Sequence, residues 1–282
     1  MRWKTGRRSD NIEDRRGMRV GRKGMVGGIG GIILALVALY FGVDPAVVLN
    51  QTGSLAPTQE EQAVTFSPEE ERLKEFVSVV LADTEDVWGA VFQNSGQRYR
   101  PPKLVLFTDA VESACGFAEA AMGPFYCPAD QKLYLDTRFF NDLAQRHDAP
   151  GDFAQAYVVA HEVGHHVQTL LGISEQVHAA RQQGGTAEGN ALQVRMELQA
   201  DCFAGVWAHH AHKARQVLEP GDVEEALAAA AGVGDDRLQK QAQGVVVPDS
   251  FTHGSSAQRM HWFNRGLQSG DPGQCDTFKA EK

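Results

Sequence analysis

Residues 25–43, MVGGIGGIILALVALYFGV, run nineteen positions without a charged side chain. As a helix rising about 1.5 Å per residue, this stretch nearly matches the roughly 30 Å hydrocarbon core of a bilayer. It predicts a transmembrane helix and so divides the chain. Residues 1–24 hold nine Lys or Arg against three Asp or Glu, a balance of +6 in a chain of net charge -9. Arg15, Arg16, Arg19, Arg22 and Lys23 stand directly before the apolar run, and such cations gather on the cytoplasmic flank of membrane helices. The expectation is a single-pass protein: 1–24 a basic cytoplasmic tail, 25–43 the span, 44–66 a linker without sustained period, and 67–282 a domain outside the cytoplasm. A cleaved signal peptide would have a shorter apolar region, and no small-x-small cleavage site stands at 44–48. Gly24 with Gly28, and Gly27 with Gly31, repeat the GxxxG spacing through which two such helices can form a homodimer.

After residue 24 the balance is -15, which excludes a nucleic-acid partner, since no basic stripe is left to meet a phosphate backbone. The chain is 43% hydrophobic and 22% charged, the proportions of a globular core. Its four cysteines form no CxxC pair, and outside the cytoplasm thiols are not kept reduced. Cys115 and Cys127 bracket a short loop containing Gly116, Gly123 and Pro124, so they are expected to pair, leaving Cys202 to join Cys275 by elimination. Three connectivities are formally open, as are free buried thiols.

Ser67, Pro68 and Glu70 make a capping box with proline at the first helical position, and Leu73, Phe76, Val77, Val80 and Leu81 give the apolar face of a helix reaching to about 92. Extended segments follow at 103–107 and 132–136, predicting a small sheet. Beyond them the pattern is helical, over about 137–146, 153–171, 190–213, 222–231 and 256–268. The fold class is α+β, mostly helical with a small sheet.

The chemistry concentrates in AlaTyrValValAlaHisGluValGlyHisHisValGln, 156–168. His161 and His165 lie one helical turn apart on one face, so both imidazoles can reach one Zn²⁺, with Glu162 placed beside the first to act on a water. A third ligand is needed. Gln168 and Leu171 stand where an extended HExxHxxGxxH site would carry Gly and His, which points to a carboxylate. Of Glu175, Glu188 and Glu197, only Glu197 sits in a helical run with an acid one turn later, Asp201, suited to accept the free N–H of a ligating ring. His178 is the fallback ligand. His166 lies about 100° round the helix from His165 and is expected to pack or face solvent. His209, His210 and His212 suit a solvated helix end, and His147 and His261 carry no interpretable context.

These motifs, with AlaCysGlyPhe at 114–117, MetGlyProPheTyrCysProAlaAspGln at 122–131, LeuTyrLeuAsp at 133–136 and GluLeuGlnAlaAspCysPheAlaGly at 197–205, resemble the bacterial neutral zinc metallopeptidases of the YpfJ type, membrane-anchored proteins of the glutamate-zincin kind. The resemblance covers almost the whole chain. It implies a zincin-like metallopeptidase domain, His161, His165 and Glu197 as zinc ligands, Glu162 as catalytic base, Asp201 as the carboxylate behind a ligand ring, and a place on the outer side of a bacterial inner membrane. By analogy with related glutamate zincins it also suggests His253, with Arg259 behind it, as donor to a tetrahedral oxyanion, and the strand at 132–136 as an edge for an extended substrate. The function expected is zinc-dependent hydrolysis of peptide bonds in a peptide or protein substrate. The alternative is a zinc-stabilised, non-catalytic binding or scaffold protein at the cell envelope, which would have no use for a base at 162.

Overall fold

The structure, a computed structural model, describes residues 1–18, 65–119 and 123–279. The chain divides into one unit of Met1–Arg16 with Ser67–Lys282 and a second of Gly17–Phe66. The expected span 25–43, its glycine spacings and the linker 44–66 lie outside the described residues.

Helix α1 (Pro68–Asn94) starts at the capping box read from the sequence, Ser67 and Glu70 each bonding the other's backbone N–H. A four-stranded sheet has the order β1 (Ile12–Asp14), β2 (Lys103–Phe107), β6 (Lys132–Asp136), β5 (Phe125–Cys127); β1, β2 and β6 are parallel and β5 runs antiparallel to β6. Leu104, Leu106, Leu133 and Leu135 face the main core, while Val105, Phe107 and Tyr134 face a smaller cluster under the hairpin of β3 (Ala110–Ser113) and β4 (Gly116–Glu119). Both sheet faces are therefore covered, which is why β2 and β6 read as near-continuous apolar runs. The helical layer comprises α2 (Phe139–Arg146), α3 (Asp152–Leu170), α4 (Ile173–Gln183), α5 (Thr186–Arg215), α6 (Asp222–Gly232), α7 (Asp235–Gln243) and α8 (Ser256–Ser269).

Helix α3 is buried on nearly every side. Phe153 stacks on Trp207 of α5 at 5.7 Å and Tyr157 meets Phe263 of α8 edge-on at 5.5 Å, each such pair contributing about 0.5–1.5 kcal/mol beyond its area. Its first turn has no cap from its own chain neighbour; instead Glu225 of α6 accepts from Phe153 N at 2.9 Å. Gly151 is required there, with φ 118° and no room for a Cβ against that carboxylate. Gly164 serves α5: a Cβ on it would lie 3.0 Å from the Ala200 backbone and 3.2 Å from its Cβ. The two helices approach this closely only because position 164 carries no side chain.

Residues 1–16 correct the expected topology. β1 pairs with β2 in register Ile12 to Leu104, and Trp3, 6% exposed, packs edge-on to Phe76 at 5.4 Å. Three of the basic side chains meet acids of the domain: Arg7 bonds Glu85 and Asp86, Arg8 bonds Glu75, and buried Arg16 bonds Asp14 and Glu71. The first sixteen residues thus form part of the unit that contains Ser67–Lys282. A strand cannot pair with its sheet across a bilayer, so the cytoplasmic tail and the single-pass placement are withdrawn. No helix among the described residues is long and apolar enough to cross a membrane, so the fold class keeps its mostly helical domain with a small sheet and loses the transmembrane helix expected before it.

The charges on β1 predict acid sensitivity. Burial opposes charge on Glu13, but hydrogen bonds from Lys132, Arg15 and Lys103 outweigh it and hold its pKa at about 2. Burial is likewise outweighed at Asp14 by Arg16 and Lys74, leaving its pKa well below the usual carboxylate range. Folded values below unfolded ones mean stabilisation that is complete above about pH 4.5 and lost as pH falls towards 2. Hydrogen exchange should show β1 losing protection in that window, and Glu13→Gln should lack about half of this dependence, the rest coming from Asp14; protection constant from pH 4.5 to 2 would show that these pairs do not hold the strand.

Candidate metal centre

His161 and His165 point from α3 towards Glu197 on α5. Glu197 Oε2 lies 3.1 Å from His161 Nε2 and 3.5 Å from His165 Nε2, and the two rings stand almost perpendicular, with centroids 4.8 Å apart. Close passage at Gly164 brings Glu197 and Asp201 of α5 up to the histidine face. The three residues line a cavity of about 1300 Å³, as do Glu162, His253, Phe125 and Tyr126.

Behind His161 the groups form a buried charged network. Asp201, wholly buried, accepts from His161 Nδ1 at 2.8 Å, from Arg259 Nε at 2.8 Å and Nη2 at 2.9 Å, and from the Tyr157 hydroxyl. Burial opposes its charge, yet Arg259 and His161 hold its pKa below the usual range. Glu197 behaves alike: burial is outweighed by the charges and hydrogen bonds of His165 and His161, and its pKa sits well below normal. At His161 burial favours the neutral ring, but Asp201 and Glu197 push the pKa up to about 9. Two buried carboxylates thus face one buried guanidinium and two imidazoles whose pKa values they raise. Two imidazoles and one carboxylate form the donor set of a Zn²⁺ site with a position left for water, so these residues fit that ion.

Among the described residues a second acidic group, Asp152, Asp222 and Glu225, also brings ligand atoms within 4.8 Å of one another. Its charge is answered internally: the Met1 α-ammonium donates to Asp152 at 2.5 Å and to Asp222 at 3.4 Å. The fallback ligand His178 lines the cavity but bonds Gln182 on its own helix and does not join the convergent set.

His253 lies at the cavity with its side chain half exposed. Asp235, at the start of α7, accepts from the backbone N–H of Thr252, His253 and Gly254 at 2.7, 2.6 and 3.0 Å and faces His253 Nδ1 at 3.3 Å. The loop is therefore built round one carboxylate, which raises the pKa of the ring. The guanidinium of Arg259, expected behind His253, is engaged by Asp201 and the Tyr157 hydroxyl. Asp235 and Tyr157 were not singled out in the sequence. Tyr157 had a signal, since 157, 161 and 165 share one helical face; Asp235 had little, because α7 is short and strongly polar.

His166 packs rather than facing solvent. The Arg100 carbonyl, 2.7 Å from Nε2, can only accept, so Nε2 carries the proton and Nδ1 accepts from the Tyr126 hydroxyl at 3.1 Å. This ties α3 to β5. The 132–136 strand is interior, paired by β2 and β5, so the sheet edge beside the cavity is β5, too short to read from sequence. Both expected disulfides are present, Cys115–Cys127 beside that edge and Cys202–Cys275 joining α5 to the final turn. His209 and His210 bond the carbonyls of Leu267 and Gly270, and His212 accepts from Leu218 N, so these rings fasten helix ends.

A histidine pair one turn apart, completed by a glutamate from a crossing helix and open to a deep cavity, has the form of a His-His-Glu metal centre. Residues 1–278 match the family described as "Putative neutral zinc metallopeptidase", and the chain belongs to that family. It is 52% identical over 288 residues to the uncharacterized protein YpfJ of Escherichia coli (strain K12), covering 99% of both chains. It is 44% identical over 257 residues to the uncharacterized protein Rv2575 of Mycobacterium tuberculosis (strain ATCC 25618 / H37Rv), covering 86% of this chain and 85% of that one. No solved structure gives a significant match.

Proposed function

We propose that this chain is a zinc-dependent peptidase that hydrolyses peptide bonds, with Glu162 as general base. The observation that carries this reading is the convergence of His161, His165 and Glu197 in the wall of a cavity that Glu162 also lines. Zinc held by those three would polarise a substrate carbonyl and make a water acidic enough to attack at neutral pH. Glu162 takes the water's proton and delivers it to the leaving amine. His253, anchored through Asp235, donates to the carbonyl oxygen as negative charge develops on it. An extended peptide adds to the edge of β5, where main-chain hydrogen bonds align it without demanding one sequence.

Metal removal tests the reading. The full chain, incubated with a chelator and dialysed, should lose cleavage of a mixed peptide library and regain it on adding zinc. Zinc uptake without cleavage of any peptide would favour the non-catalytic scaffold, and a chain that takes up no zinc would overturn the metal centre.

A further inference from the structure

We infer that Gln168 and Gln199 are positioning residues that fix the ring of His165 with Nε2 as the nitrogen offered to the metal, an inference resting on the zinc reading above. Gln168 is wholly buried on α3, and its Nε2 donates to the Met196 carbonyl at 2.8 Å. A carbonyl only accepts, so the amide nitrogen faces it; the same nitrogen donates to Gln199 Oε1 at 3.1 Å. The oxygen of Gln168 is therefore the atom that faces His165 Nδ1, at 2.9 Å, and Nδ1 must carry a proton. Gln199, 4% exposed, is set by the same logic, its Nε2 donating to the Cys275 carbonyl at 2.9 Å.

Two main-chain carbonyls thus dictate the direction of every hydrogen bond in the relay. Met196 neighbours Glu197 on α5, and Cys275 is tied to Cys202 of the same helix by a disulfide. Both ends of the relay are anchored to the helix that supplies the third ligand. The two rings are held by unlike means. His161 faces the carboxylate of Asp201, itself paired with Arg259, whereas His165 Nδ1 faces the neutral amide of Gln168. A glutamine supplies the acceptor without the charge.

The test uses the full chain labelled with ¹⁵N-histidine, as wild type, Gln168→Leu and Gln199→Met, with Glu162→Gln as control. Competition with a chromophoric chelator should show zinc binding weakened about 10- to 100-fold in Gln168→Leu, less in Gln199→Met, and unchanged in the control. The His165 Nδ1–H resonance should be protected from exchange in the wild type and exchange faster in both glutamine variants. Folded variants with zinc affinity within about twofold of wild type and an unaltered resonance would overturn the relay, since removing a ligand's orienting partner costs more than that. If Gln168→Leu does not fold, Gln199→Met, which touches neither ring nor metal, decides. A wild-type chain that takes up no zinc would sink the metal reading, while the resonance, observable without metal, would still decide the relay.

Discussion

Glu162→Gln is expected to retain zinc at wild-type affinity and to lose about 10²- to 10⁴-fold in kcat for peptide cleavage, the contribution of a positioned general base. Glu162 follows His161 on α3, is partly exposed and lines the cavity, but does not belong to the convergent ligand set. Glutamine keeps its volume and one acceptor oxygen and removes only the capacity to take a proton. The fall should appear in kcat with little change in KM, because the side chain acts on water rather than on substrate already bound. Parallel loss of zinc and rate would reassign Glu162 to holding the site. Unchanged cleavage would dismiss it as the base and require another proton acceptor in the cavity.

The second large effect concerns stability. Arg259→Met removes the cation from a carboxylate with no solvent access, leaving Asp201 with only the Tyr157 hydroxyl and His161 Nδ1. Breaking one side of a buried ion pair costs about 3–5 kcal/mol, which in a domain of this size lowers Tm by about 6–20 °C. The double variant Arg259→Met with Asp201→Asn should recover part of that loss, because a neutral amide no longer needs the guanidinium. Thermal unfolding of the four chains closes the cycle. A single-variant shift below about 2 °C, the effect of roughly 1 kcal/mol or less, would mean that Asp201 is neutralised by another group.

Much of the site was legible because metal ligation and helix geometry share a period. His161 and His165 are four residues apart, so any helix there puts them on one face, and Glu197 with Asp201 repeats that spacing on a second helix. The capping box at Ser67 and the apolar strands at 103–107 and 132–136 were legible for similarly local reasons. β1 was not. Its three residues include two acids, and it is held by Arg16 just after it and by Lys74 and Lys132 from elsewhere in the chain. Arg16, one of the basic residues that suggest the flank of a membrane helix, is in the fold an ion-pair partner of Asp14 on β1 and Glu71 on α1. A count of charges carries no record of what the charges meet.

By itself, the sequence determined the elements whose signals repeat within a few residues: the histidine pair with the glutamate beside it, the acidic pair one turn apart, most of the helices, and a short-loop disulfide. Tertiary structure decided what depends on atoms distant in the chain. It seated residues 1–16 in the domain, engaged Arg259 with Asp201, gave His253 its anchor in Asp235, made β5 the edge strand, and turned Gln168 towards His165. The physical reason is that periodicity is set by backbone geometry, which neighbours share, whereas the partner of a buried polar group is set by close packing, visible only once helices such as α3 and α5 meet at Gly164.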